Sequence, residues 1–148
     1  NPSDSYQLLF TSRLYEFLYH LCRSYSHQIP SASLTGSQRD LQRVTHVMNW
    51  VKVHYPEPLS LETAADSLAL SKEYFCRLFK KYTGQTFLEY LNDVRTMHLY
   101  EDLQNSDETI TVLMEKNGLS NYKIFMRTFK KLYGSTPQKM RSNRIRHV

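Results

Sequence analysis

The sequence predicts an all-α fold, with two helix–turn–helix subdomains joined by a linking helix and preceded by an N-terminal helix and linker. Three observations predict it. Apolar residues recur at steps of three and four along most of the 148 residues, and no useful length of chain alternates as a strand would. Only four glycines are present, too few for the many tight turns of an all-β chain. A unit of helix–turn–helix size occurs twice, about 50 residues apart.

The elements follow in order. Phe10, Leu14, Phe17 and Leu21 form a helical stripe within residues 5–25. Leu8, Leu9, Leu18 and Tyr25 widen it beyond what a solvated helix shows. Residues 1–26 therefore read as a helix whose apolar face is too wide to be solvated. Residues 27–37, with Pro30, Gly36 and several Ser and Thr, read as a linker. A helix is expected from about Gln38 to Tyr55 on the stripe Leu41, Val44, Met48, Val51 and Tyr55, stopped by Pro56 and Pro58.

Beyond Pro58 the helices are short and each carries a start signal. Ser60 is placed to cap a helix holding Ala64, Ala65 and Leu68. Ser71 caps the next, which Gly84 ends. Thr86 and Glu89 form a capping box opening a helix to about Leu103, with Leu91, Leu99 and Leu103 on one rail. Thr109 caps a short helix, Gly118 turns the chain, Ser120 or Asn121 starts a helix that Gly134 ends, and Thr136-Pro137 opens a last one. The two units span about 60–83 and 109–133 within a domain from 38 to 148.

The repeat is explicit. Residues 71–84 read SKEYFCRLFKKYTG and residues 120–134 read SNYKIFMRTFKKLYG. Arg77 matches Arg127, Phe79 matches Phe129, Lys80-Lys81 matches Lys130-Lys131, and Gly84 matches Gly134. Upstream, Leu61, Ala65, Ala69 and Leu70 answer to Ile110, Met114, Gly118 and Leu119. Phe75 and Phe79, four apart, face a core. That leaves Lys72, Glu73, Cys76, Arg77 and Lys80 outward, with Lys81 completing the basic run. In the second copy Phe125 and Phe129 face in, and Asn121, Tyr122, Lys123, Met126, Arg127 and Lys130 face out, followed by Lys131.

Charge points to the partner. The formal net charge is +5, and residues 1–34 are neutral, so the whole excess lies downstream. From Ser120 to Val148 there are eight basic residues and no acidic one. Two basic runs at matched places in a repeated unit favour a polyanion, most often nucleic acid. In a helix–turn–helix the second helix offers its outer face to the major groove, where Arg grips guanine O6 and N7 and Lys and Tyr reach phosphates. A linking helix of about 27 Å, with helix diameters added, brings two such helices near the ~34 Å repeat of the duplex. Double-stranded DNA is the expected partner.

Other classes are disfavoured. The 11 Tyr and 7 Phe exclude a disordered low-complexity chain. No apolar run reaches the roughly 18 residues that span a bilayer, and no signal peptide opens the chain. It begins at Asn1 and reads as a piece of a longer protein. Cys22 and Cys76 are too few for a disulfide scaffold, so a reducing, cytoplasmic compartment is expected. Six His show no metal-ligand spacing, and no phosphate loop or nucleophile elbow is present. No catalytic residue, metal or cofactor is therefore assigned. A basic protein-interaction module binding an acidic partner stays open as the alternative, and Arg95 is expected to bond a carboxylate or a helix end.

Over about residues 40–142 the sequence resembles the DNA-binding domain of the AraC/XylS family of bacterial transcription regulators. The resemblance rests on Leu61…Ala65…Leu68, on SKEYFCRLFKKYTG, on Tyr90-Leu91…Arg95, and on Phe125…Arg127…FKKLYG followed by Thr136-Pro137 and Arg141. It implies sequence-specific promoter binding by two helix–turn–helix subdomains. It also implies RNA polymerase as a protein partner and a homodimer through an N-terminal effector domain, of which residues 1–26 would be the tail. Three positions depart from the family pattern: Met114 and Leu99 stand where a small Ala is common, and Leu119 where Phe is common.

Overall fold

The structure, a computed structural model, describes residues 35–145, with side chains to residue 142. The expected helix over 1–26 and most of the linker over 27–37 lie outside the described residues. The described residues from Asp40 onward form one compact unit, and those before it belong to another. Among the described residues there are seven helices and no strand: α1 Gly36–His54, α2 Leu61–Asp66, α3 Lys72–Thr83, α4 Phe87–Asn105, α5 Ile110–Lys116, α6 Tyr122–Tyr133 and α7 Pro137–Ile145.

Each helix of the compact unit from α2 to α6 begins at a polar side chain that takes up a free backbone N–H of the first turn. Ser60 Oγ accepts from the Thr63 N–H at 3.1 Å, and the Thr63 hydroxyl accepts in return from the Ser60 N–H. Thr86 and Glu89 close the expected capping box, with Glu89 Oε2 accepting from the Thr86 N–H at 2.8 Å. That bond holds the Glu89 carboxyl below the ordinary carboxylate range. Ser71, Thr109 and Asn121 cap α3, α5 and α6. Gly84 and Gly134 end α3 and α6 in the same left-handed conformation.

Two cores result. The first joins Val44, Val47 and Val51 of α1 to Ala64 and Ala65 of α2, Phe75, Leu78 and Phe79 of α3, and Phe87, Tyr90, Leu91 and Val94 of α4. Phe75, Phe79 and Phe87 pack with ring centroids 5.6–5.8 Å apart, two of the three pairs edge to face. The second joins Leu99 and Leu103 of α4 to Leu113, Met114, Leu119, Phe125 and Phe129. Full burial of each Val, Leu, Phe or Met among them contributes roughly 1.5–3 kcal/mol.

Two expectations are corrected here. On α1 the buried stripe is Val44, Val47 and Val51, while Leu41 is 51% exposed. The first core starts under Val44, so the apolar Leu41 one turn earlier lies beyond it. On α4 the three leucines do not share one neighbour: Leu91 enters the first core, and Leu99 and Leu103 enter the second. The helix is wrapped by different partners along its length, so it presents no single apolar face.

The turn inside each unit has one backbone design. The Leu70 N–H bonds the Ala65 carbonyl at 3.1 Å, and the Leu119 N–H bonds the Met114 carbonyl at 2.8 Å. Both are the six-to-one bond of a helix ending in a left-handed residue. That residue is Ala69 at φ 51° in the first unit and Gly118 at φ 73° in the second.

Candidate nucleic-acid interface

The α3 side chains lie as follows. Lys72, Glu73, Cys76 and Arg77 are exposed, as are Lys80 and Lys81 in the last turn. Lys72 is not a free cation: its Nζ donates to Glu62 Oε1 of α2 at 2.6 Å. That bond drives the Glu62 carboxyl below its ordinary range and the Lys72 ammonium above its own. Lys81 Nζ sits 5.4 Å from the Tyr82 ring centre, a cation–π contact. Tyr74 anchors the helix from its flank, its hydroxyl donating to Asp40 Oδ2 at 3.3 Å.

In α6, Tyr122, Lys123, Arg127, Lys130 and Lys131 are exposed. Asn121 has a structural task, since its Oδ1 accepts from the Ile124 N–H at 3.0 Å. Met126 does not face outward as expected; it is half-buried against the second core. Its repeat mate Cys76 remains exposed, so the two second helices do not present the same face at that position. Lys131 reaches back to α4, donating to Asp93 Oδ2 at 3.1 Å, and Asp93 is only 16% exposed. Arg127 lines a cleft of about 360 Å³ beside Lys131, with Glu89, Asn92 and Asp93 of α4 opposite.

The matched sites thus separate into two groups. Glu73, Arg77, Lys123 and Arg127 stand exposed in the first two turns of α3 and α6. In a helix–turn–helix, N-terminal residues of the second helix meet base edges. Lys80, Lys81, Lys130 and Lys131 stand in the last turn of each. Cations there also complement the negative end of the helix dipole. Pattern reading missed Glu62 and Asp93, which each hold one lysine. No periodicity signals a contact across ten or thirty-eight residues.

One joint connects the units. Arg95 Nε donates to the Tyr55 carbonyl at 2.7 Å and its Nη2 to the Glu57 carbonyl at 2.6 Å. The guanidinium thus satisfies carbonyls left open at the end of α1, the helix-end role expected of it, and burial lowers its pKa. Gly118 presses on the same place: a Cβ there would lie 2.7 Å from the Pro56 carbonyl oxygen and 3.1 Å from Arg95 Nε. Beside this joint, Pro56–Ser60 faces Thr111, Met114, Leu119 and Tyr122 across a groove of about 790 Å³.

No helix among the described residues is long and apolar enough to cross a membrane. Among the same residues no cluster of His, Cys, Asp and Glu is arranged to hold a metal ion.

Two helix–turn–helix units on a shared helix, each with an exposed basic second helix, define a class of protein. A family model described as "Helix-turn-helix domain" matches residues 64–143, and the chain belongs to that family, in its AraC-type form. It is 33% identical over 102 residues to an uncharacterized HTH-type transcriptional regulator of Staphylococcus aureus (strain MSSA476), covering 69% of this chain and 14% of that protein. It is 31% identical over 111 residues to the HTH-type transcriptional activator RhaS of Escherichia fergusonii, covering 75% of this chain and 40% of RhaS. The chain therefore spans well under half the length of these relatives. Among solved structures it is similar to the DNA-binding domain of AdpA, a global transcriptional factor, determined in complex with a target DNA. There the TM-score is 0.62 at 25% identity, covering 68% of this chain and 91% of that one.

Proposed function

We propose that this chain is the sequence-specific DNA-binding part of a transcription regulator and acts without a catalytic step. It sets α3 and α6 in successive major grooves on one face of a promoter. The observation that carries this is the pair Arg77 and Arg127. Both are exposed and occupy the same place in two copies of one unit, and the copies are joined by a 19-residue helix of about 28 Å. The complex of the AdpA domain with its target DNA supports the same reading.

The chemistry follows from position. Arg77 and Arg127 offer paired N–H donors to guanine O6 and N7. Lys80 and Lys130, one turn further on, supply phosphate contacts that carry affinity but no sequence information. In the longer protein, binding would be coupled to RNA polymerase and to dimerisation through the N-terminal part, in the cytoplasm.

The test begins with selection of bound duplexes from a random-sequence pool. Arg77→Ala and Arg127→Ala are then titrated against the selected duplex. Each is expected to lose about 1–3 kcal/mol of specific binding with an unchanged circular dichroism spectrum. Unchanged affinity in both variants overturns the two-groove reading.

A further inference from the structure

Lys72 occupies the first position of α3, one turn before Cys76 and beside the exposed Glu73 and Arg77. Its ammonium is already engaged. Glu62, ten residues earlier on α2, accepts from it at 2.6 Å, and Glu73 and Asp66 lie close enough to add to the field. Both partners are about half exposed, with side-chain exposures of 51% for Lys72 and 53% for Glu62. A pair this open adds little to stability, because water screens it and two flexible side chains must be held. Its value lies elsewhere than in holding α2 to α3, which the buried Ala64, Ala65, Phe75 and Phe79 already do.

The second unit has no counterpart. The positions that match Glu62 and Lys72 hold Thr111 and Tyr122, which line the open groove instead. The pair is thus a feature of one unit alone and not a requirement of the fold.

Resting on the DNA-binding reading above, we propose that Glu62 is a positioning residue that stands in for a DNA phosphate. It holds Lys72 back from arbitrary duplex and surrenders it only where α3 finds its base sequence. The exchange is of one anion for another, so it is close to balanced. A lysine held by carboxylate neutralises no phosphate and releases no counterion, which removes one contact from the sequence-independent part of the affinity. A well-seated α3 brings a phosphate to the ammonium in fixed geometry and tips the exchange. Glu62 thereby widens the gap between specific and non-specific binding without touching a base.

The experiment uses the whole chain and a 30-base-pair duplex of arbitrary sequence, titrated across a range of NaCl concentrations. Glu62→Gln, which keeps the shape of the side chain, is expected to bind this duplex about three- to tenfold more tightly at low salt. Its plot of log affinity against log salt should steepen by about 0.9, one added phosphate contact. The same substitution made on a Lys72→Met background should leave the slope unchanged, because the effect runs through Lys72. An equal slope for Glu62→Gln and the unaltered chain overturns the proposal. So does an equal gain on both backgrounds, since the carboxylate would then act only as bulk negative charge. Salt-dependent binding by the unaltered chain keeps the DNA-binding reading intact in either case, and its absence overturns both.

Discussion

The two helix–turn–helix units share one backbone design at their turns and differ in the side chains around them. Both turn through the same six-to-one bond and the same left-handed residue, yet the first unit uses Ala69 and the second Gly118. The surroundings explain the difference. Ala69 is exposed, so its Cβ meets only the intrinsic cost of a left-handed backbone, about 1–2 kcal/mol. Gly118 is pressed against the Tyr55–Pro56 carbonyls, where no Cβ fits. The first unit turns freely, whereas the second turns against the end of α1. The same asymmetry runs on through Ala65 and Met114, and through the Glu62–Lys72 bond and the Thr111–Tyr122 groove. One turn design is used twice, and the contact of the second unit with the end of α1 decides what its turn tolerates.

The largest expected effect is at that contact. Gly118→Ala should lower stability by about 2–4 kcal/mol, combining left-handed strain with a forced shift of the Pro56 backbone or Arg95. Gly134→Ala, at a nearly equal φ with nothing within 4 Å, should cost only about 1–2 kcal/mol. Paired urea melts measure the gap, and equal costs would show that the joint is slack. Met114→Ala comes next. Met114 is 7% exposed, and its removal should leave a void costing about 2–3 kcal/mol even though the repeat holds Ala at the matching place. A near-neutral melt would mean that the second unit relaxes to the packing of the first. Smallest is Ala69→Gly, which exchanges left-handed strain for backbone entropy. It should raise stability by at most about 1 kcal/mol in thermal unfolding; a loss there would mean that the methyl group packs usefully.

Much of this frame is legible in local signals. Ser60, Ser71, Thr86 and Thr109 act within three residues of themselves, as do the stops at Gly84 and Gly134, so the sequence displays them directly. The repeat shows Phe75, Phe79, Phe125 and Phe129 as core. What fails is whatever depends on a distant neighbour. Leu41 fits the α1 stripe by period but lies beyond the start of the core, while Val47, off that stripe, is fully buried. Met126 sits at an outward phase of α6 and still leans on the second core. Two of the eight interface cations were hidden for the same reason: Lys72 and Lys131 look free in sequence, and their carboxylates come from α2 and α4. Arg95 was readable as a helix-end donor because a buried guanidinium needs carbonyls or carboxylates, although the carbonyls it meets lie about forty residues upstream.

Both copies are proposed to engage one face of the duplex together. Hydroxyl-radical footprinting of the chain on its selected duplex tests it most directly. Two protected stretches are expected on the same face, their centres about one helical turn, 10–10.5 base pairs, apart. Arg77→Ala should weaken protection at one of them and Arg127→Ala at the other. A single protected stretch that fades uniformly in both variants would contradict it.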